Sequence, residues 1–381
     1  MGTSSVSSEL TQVAVSTPAP RSLRTELLCE QAPIITAVLI MGVAASYLQH
    51  GFLVGGERPF PLAGVAVPLW HLLWLGFSSG YIMALVGQGT GIYSLPYAMS
   101  ILRFDNASVS PTNLLITVIN PIGALLGFWR AGQWNLDFAL WPCLGSFVGA
   151  LIGPFPRVLY LSDPLPFKAV VGVALLWLGG QLVWEITPWS GPVRGARSVR
   201  GERFRVHARA EVAAGRLPSG FPEGARIETL ERSWRRIRIG FLGEEWSLGV
   251  PGLFFLGLGV GLVASTFGAG GAFLLAPLLV TLYRMPTHVI VATTIPFVMV
   301  QSIVGLFSYI VVVPALTGRA TPPEWAFAFL VAAPAVLGAW LAAKTQRFVP
   351  DSHLRLLTGV ITGLGGLLYL INYFVPLPFR V

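Results

Sequence analysis

Nine apolar runs, most of them about as long as a bilayer is thick, constrain this chain more than any other feature. They are Pro33–Val54, Leu69–Leu102, Pro111–Trp129, Phe138–Tyr160, Phe167–Glu185, Gly249–Leu282, Val289–Leu316, Trp325–Ala343 and Leu354–Val375. A hydrocarbon core takes roughly 20 apolar residues per helical crossing. Within it the backbone must satisfy its own hydrogen bonds, so each run is expected to be helical. Composition agrees: 54% of the 381 residues are hydrophobic and 11% are charged, against about 25% charged in soluble domains. A soluble globular core cannot absorb nine such runs. The fold class expected is an all-α polytopic membrane protein.

Two runs are too long. Leu69–Leu102 and Gly249–Leu282 would each extend about 50 Å as a continuous helix, against a core of about 30 Å. Both carry clustered glycines followed by a proline. "LVGQGTGIYSLPYAM" (Leu85–Met99) aligns with "TFGAGGAFLLAPLLV" (Thr266–Val280), setting Gly87 on Gly268, Gly89 on Gly270 and Pro96 on Pro277. Downstream, Thr112 and Asn113 of "SPTNLL" fall on Thr293 and Thr294 of "VATTIP". "GALIG" (Gly149–Gly153) then resembles "GAWLA" (Gly338–Ala342), and Lys168, Gly172 and Gly179 match Arg355, Gly359 and Gly366. Four matches in one order indicate two repeats of about four membrane segments each.

The boundaries follow: residues 1–32, a polar N-terminal tail; 33–54, an extra transmembrane helix; 69–186, repeat 1; 187–247, an arginine-rich cytoplasmic insertion; and 248–376, repeat 2. The insertion holds twelve arginines against seven glutamates, which places it on the cytoplasmic side, near anionic lipid. Alternation in "RFRVHARAEV" (Arg203–Val212) and "RRIRIGF" (Arg235–Phe241) predicts short strands there. If all nine runs cross, the repeats are parallel. If the two glycine segments are re-entrant, seven cross and the repeats are inverted, which suits the flanking basic residues better.

Duplicated membrane halves are a transporter plan, with the substrate site near the midplane on discontinuous helices. Glycine breaks would expose backbone N–H groups and a positive helix end, suited to an anion. Close packing through small residues would also explain the glycines. The candidate site comprises Gln88, Gly89, Thr90 and Gly91 with Thr112 and Asn113 of repeat 1. From repeat 2 it takes Gly268, Gly270 and Gly271 with Thr293 and Thr294. These are neutral donors. The seventeen acidic residues lie in tails, loops or segment ends, so an intramembrane carboxylate relay is not expected. The arginines of the repeats, among them Arg130, Arg157, Arg284 and Arg355, sit at segment ends and are expected to reach the interface. The anion should therefore be held without a buried Arg or Lys. No nucleophile–His–carboxylate set, metal cluster or phosphate loop is visible, so the chain is read as a non-enzyme with neither metal nor cofactor. The expected partners are a small anion and membrane lipid, with a second copy of the chain as a further candidate and nucleic acid excluded.

In "GAGGAFLLAP" with "VATTIP", and less closely in "GQGTGIYSLP" with "SPTNLL", the chain resembles the sulfite/organosulfonate exporter family (TauE/SafE-like). The resemblance covers about Leu69–Val375 apart from the insertion. It implies a multi-pass plasma-membrane transporter of small sulfur-containing anions such as sulfite, sulfoacetate or thiosulfate. Gln88, Thr90 and Asn113 depart from the family's small residues, as do the extra helix and the insertion. The alternative to a carrier is a membrane-embedded scaffold or sensor with the insertion as its output domain.

Overall fold

Apolar runs become helices here because the helix is the one local structure that consumes its own backbone donors and acceptors. A computed structural model describes residues 27–54, 59–86, 90–122, 135–184, 227–241, 244–283, 285, 287–345 and 351–375. In chain order the helices are α1 (Ala32–His50), α2 (Leu69–Val86), α3 (Gly91–Pro96), α4 (Val109–Ile119), α5 (Leu136–Ile152), α6 (Pro154–Leu159) and α7 (Pro164–Trp184). After a sheet come α8 (Val250–Phe267), α9 (Ala272–Tyr283), α10 (Thr287–Phe307), α11 (Val313–Thr317), α12 (Trp325–Thr345) and α13 (Asp351–Phe374). Wider π turns extend α3 through Tyr97–Ile101 and join α10 to α11 through Ser308–Val312. Among the described residues, six helical stretches are long and apolar enough to cross a membrane: Leu27–His50, Leu136–Leu159, Pro164–Trp184, Val250–Phe267, Thr293–Thr317 and Trp325–Ala342.

Small residues decide which helices meet. On α2, a Cβ at Gly76 would lie 2.0 Å from the carbonyl oxygen of Val331 on α12, and one at Gly80 would lie 2.2 Å from that of Ala335. On α8, a Cβ at Gly257 would lie 2.1 Å from the carbonyl oxygen of Pro142 on α5, and one at Gly261 would lie 2.7 Å from the Cα of Ser146. The third large seam joins α7 to α13, with Gly172 against Gly366 and Gly179 against Gly359 and Gly363. Without a hydrophobic force between helices in lipid, such backbone approach is the main source of packing energy. The extra helix α1 lies against α12, where Gly42 meets Phe329.

The sheet is a three-stranded antiparallel meander, β1 (Glu228–Arg232), β2 (Arg236–Phe241) and β3 (Glu244–Gly249). β2 realises the alternation of Arg235–Phe241: Ile237, Ile239 and Phe241 are buried with Trp246 and Leu248 opposite, while Arg236 and Arg238 face out. It is anchored to the start of α5, where Asn135 caps the helix by accepting from the Phe138 N–H (2.9 Å) and donates to the Ile227 carbonyl (3.0 Å). Arg232 pairs with Asp137 at 3.0 Å, and Trp234 meets Trp141 edge to face. The strand expected at Arg203–Val212 lies outside the described residues.

Candidate functional site

The over-long run Gly249–Leu282 is broken at its glycines. α8 ends at Gly268, whose backbone is left-handed (φ 77°, ψ 25°) and whose N–H bonds back to the Ala264 carbonyl. Gly270 is left-handed too (φ 64°), and α9 starts at Ala272. L-residues with a side chain pay for this conformation, so glycine there is a backbone requirement. In the first half α2 ends at Val86 and α3 begins at Gly91; Gly87, Gln88 and Gly89 lie outside the described residues.

The two motifs touch. A Cβ on Gly91 would fall 2.2 Å from the carbonyl oxygen of Ala269, so the first motif lies directly against the backbone of the second. Asn113 on α4 stitches them together. Its Nδ2 donates to the Gly268 carbonyl (2.7 Å) and the Gly91 carbonyl (3.1 Å), and its Oδ1 accepts from the Ser94 hydroxyl (2.5 Å). Gly268 in turn sits on α4 itself, within 2.2 Å of the Ser110 carbonyl oxygen when a Cβ is placed. Beside the crossing is an apolar gap of about 10 Å³, lined by Ile92, Leu95 and Pro96 of one motif, Phe267, Ala269 and Phe273 of the other, and α7.

The remaining candidates divide by what their polar atoms do. The Thr112 hydroxyl donates to the Ser108 carbonyl (2.6 Å) and accepts from the Glu324 N–H (2.9 Å). Gly270 rests on the Thr117 side chain. The Gly271 N–H donates to Gln301 Oε1 (2.9 Å), and Gln301 Nε2 donates to Ser265 Oγ (2.8 Å). Thr294 is buried. Thr90 and Thr293 are 1% and 0% exposed, and among the described residues their hydroxyls have no hydrogen-bond partner. Buried hydroxyls in that condition are uncommon, and each costs free energy until something fills it.

Four groups lay outside the candidate set: Gln301, Ser265, Arg157 and Lys168. Gln301 follows Thr293 at the spacing at which Asn120 follows Thr112, so extending the repeat alignment by two turns would have found it. Arg157 corrects the expectation that repeat arginines reach the interface. It is fully buried. Its Nε donates to Ser110 Oγ (3.1 Å), its Nη2 to the Asn106 carbonyl (3.2 Å) and its Nη1 to the Leu161 carbonyl, and its guanidinium covers the Phe167 ring at 3.7 Å. α6 continues α5 through Gly153, whose backbone is helical (φ −53°, ψ −37°), and the two form one crossing stretch, Leu136–Leu159. A fixed cation therefore lies one residue layer behind the Gly268 break. Lys168 is mostly buried as well, 3.7 Å from Asp105.

The family model described as sulfite exporter TauE/SafE matches residues 72–369. A "Probable membrane transporter protein YunE" of Bacillus subtilis (strain 168) is 22% identical over 284 residues, spanning 72% of this chain and 85% of that protein. No solved structure matches.

Proposed function

The chain belongs to the sulfite exporter TauE/SafE family, and on that premise we propose that this multi-pass membrane transporter moves a small sulfur-containing oxyanion, of the sulfite, sulfonate or thiosulfate type, outward across the plasma membrane. The observation that carries the proposal is the crossing of the two glycine motifs, held by Asn113; the buried hydroxyls of Thr90, next to Gly91, and of Thr293 on α10 have no hydrogen-bond partner among the described residues. An anion seated there would meet the positive start of α9, backbone N–H groups of the broken segment and neutral hydroxyls. Arg157 supplies positive potential from behind Ser110 without touching the anion. A site of this kind binds loosely, which a carrier needs for release. The gap beside the crossing is about the size of one water, too small for a sulfur oxyanion. Transport therefore requires the motifs to part.

We further read the two halves as inverted repeats exchanging partners about a pseudo-two-fold axis. Two sets of contacts support the pseudo-two-fold exchange, while the inverted sense rests on the basic residues that flank the crossings. Gly76 on Val331 matches Gly257 on Pro142, and Gly172 on Gly366 matches Gly179 on Gly359. With the insertion cytoplasmic, this arrangement puts Val381 outside, and a compartment-sensitive reporter fused after it would refute the reading by reporting a cytoplasmic end.

The function is tested by thiosulfate and sulfite flux in proteoliposomes. Thr90→Val and Thr293→Val keep shape and remove a donor. A hydrogen bond to a charged group contributes roughly 1.5–3 kcal/mol, so each should weaken apparent affinity by about 10- to 100-fold. Wild-type liposomes impermeable to both anions, or variants indistinguishable from wild type, would overturn it.

A further inference from the structure

The sequence places Glu324 at the edge of a crossing, yet its side chain is fully buried, and His50, whose side chain is 5% exposed, lies with Nε2 2.5 Å from Glu324 Oε1. His50 ends α1, and Glu324 immediately precedes α12, its carbonyl accepting from the Ala328 N–H. A helix C-terminus favours a cation and an N-terminus an anion, so both helix ends suit an imidazolium–carboxylate pair. The second oxygen, Oε2, accepts from the N–H groups of Leu62 (3.0 Å) and Ala63 (3.4 Å). Gln49 closes the same joint, donating to the Pro323 carbonyl and accepting from the Trp325 N–H. Other charged groups on the packed elements are placed elsewhere. On α2, His71 lies against Trp70 and Tyr97, and Tyr81 bonds Thr345. Asp105 faces Lys168. Arg319 is exposed. No titratable residue is present in the described loop 59–68.

Histidine is the side chain that ordinarily changes charge between pH 5 and 8. A proton arriving here turns a buried site of net charge −1 into a neutral one, and a buried lone charge is disfavoured. The neighbours of Glu324 lead to the glycine break by two routes. Its N–H donates to Thr112 Oγ1 on α4, next to Asn113, which holds the Gly268 carbonyl. On the other route, Asn106 Nδ2 donates to the carbonyls of Leu62 (2.7 Å) and Ala63 (3.4 Å), the residues whose N–H groups hold Glu324. The Asn106 carbonyl accepts from Arg157, and Arg157 holds Ser110 beneath Gly268. We propose that His50 and Glu324 form a proton-binding site whose occupancy is transmitted through α4 to the Gly268 break. Resting on the carrier reading above, this makes the proton the coupling ion of anion movement.

Contiguity alone does not establish coupling, so the test cuts the route as well as the site. Histidine-selective 15N labelling of the full chain in nanodiscs gives five pairs of ring signals, and His50→Gln identifies one pair by loss. That pair should change with pH in wild type. Hydrogen exchange across Phe267–Ala272, corrected for intrinsic rate, should change with it by roughly threefold or more. Both His50→Gln and Glu324→Gln should abolish the exchange response; Gln at 324 can still accept from Leu62 and Ala63. Asn106→Leu should leave the His50 titration in place and weaken the exchange response. A His50 ring that keeps one protonation state, or pH-independent exchange in wild type, overturns the proposal. So does a pH response that survives in Glu324→Gln. In proteoliposomes, thiosulfate flux should accelerate under an imposed pH gradient in wild type and lose that dependence in Glu324→Gln. Flux indifferent to the gradient in wild type refutes the coupling. Absence of all thiosulfate flux would count against the carrier reading and leave the proton site to the two spectroscopic measurements.

Discussion

Replacing Gly268 with alanine adds one methyl group at the most constrained point of the chain. Two costs arise. The backbone there has φ 77°, and holding alanine in the left-handed region costs about 1–2 kcal/mol. The new Cβ would lie 2.2 Å from the Ser110 carbonyl oxygen, 2.6 Å from its Cα and 2.7 Å from its carbonyl carbon. Ordinary contact begins near 3.4 Å, so the two backbones would have to separate by about 1 Å, and no side chain can rotate to relieve it. Overpacking of this kind costs typically about 1–3 kcal/mol. The total is roughly 2–5 kcal/mol. Gly318 provides the control. It too is left-handed (φ 69°), yet nothing lies within 4 Å of its would-be Cβ, so Gly318→Ala carries the conformational cost alone. With about 2–4 °C per kcal/mol for a chain of a few hundred residues, Gly268→Ala should melt about 2–12 °C below Gly318→Ala. The assay is the fraction of each purified variant remaining monodisperse on gel filtration after heating. Midpoints within 1 °C of each other would refute the claim that Gly268 is fixed by the Ser110 backbone as well as by its own φ.

Adjacent glycines on α7 separate packing from propensity: Gly179→Ala meets the backbone of Gly363 at 2.5 Å, whereas Gly180→Ala meets nothing within 4 Å. The first should lower the melting midpoint, and the second should leave it unchanged or raise it by the roughly 1 kcal/mol helix preference of alanine. Asn113→Leu removes the side-chain donor to the carbonyls of Gly268 and Gly91 and leaves the Ser94 hydroxyl only the Thr90 carbonyl; a loss of about 1–3 kcal/mol in an SDS-unfolding titration is expected, with flux reduced further than stability. Arg157→Lys keeps the charge but not the fork that reaches Ser110, Asn106 and Leu161 together. It should destabilise the protein measurably by the same titration, and behaviour equal to wild type would show that charge alone suffices there.

The break of the long run Gly249–Leu282 was legible because it rests on local rules: a helix of that length cannot fit the bilayer, and left-handed backbone calls for glycine. The strand at Arg236–Phe241 was legible for a similar reason, its period-2 burial. What escaped was tertiary. Arg157 looks like an interfacial arginine until Ser110, Asn106 and Phe167 enclose it, and Glu324 looks like a loop carboxylate until α1 covers it. Asn113 was read as a donor for the anion, while the structure commits its amide to two backbone carbonyls. Sequence spacing shows which residues share a helix face; it does not show which carbonyl from the other half will arrive opposite. The glycine pairs Gly76/Gly80 and Gly257/Gly261 carry the small-xxx-small signature, and only the contacts reveal that each pair serves a helix of the opposite half.

That exchange of partners has a consequence for biogenesis. Gly76 closes on the carbonyl of Val331, which leaves the ribosome 255 residues later. At roughly 5–20 residues per second, α2 waits about 13–51 s in the membrane with its seam open. During that interval the nascent first half lacks α12, its main partner for α2, and α5 lacks α8. The first half made alone should therefore be a client of membrane chaperones and proteases, whereas the two halves synthesised as separate polypeptides in one cell should find each other, since every large seam that either one leaves bare is complementary to the other.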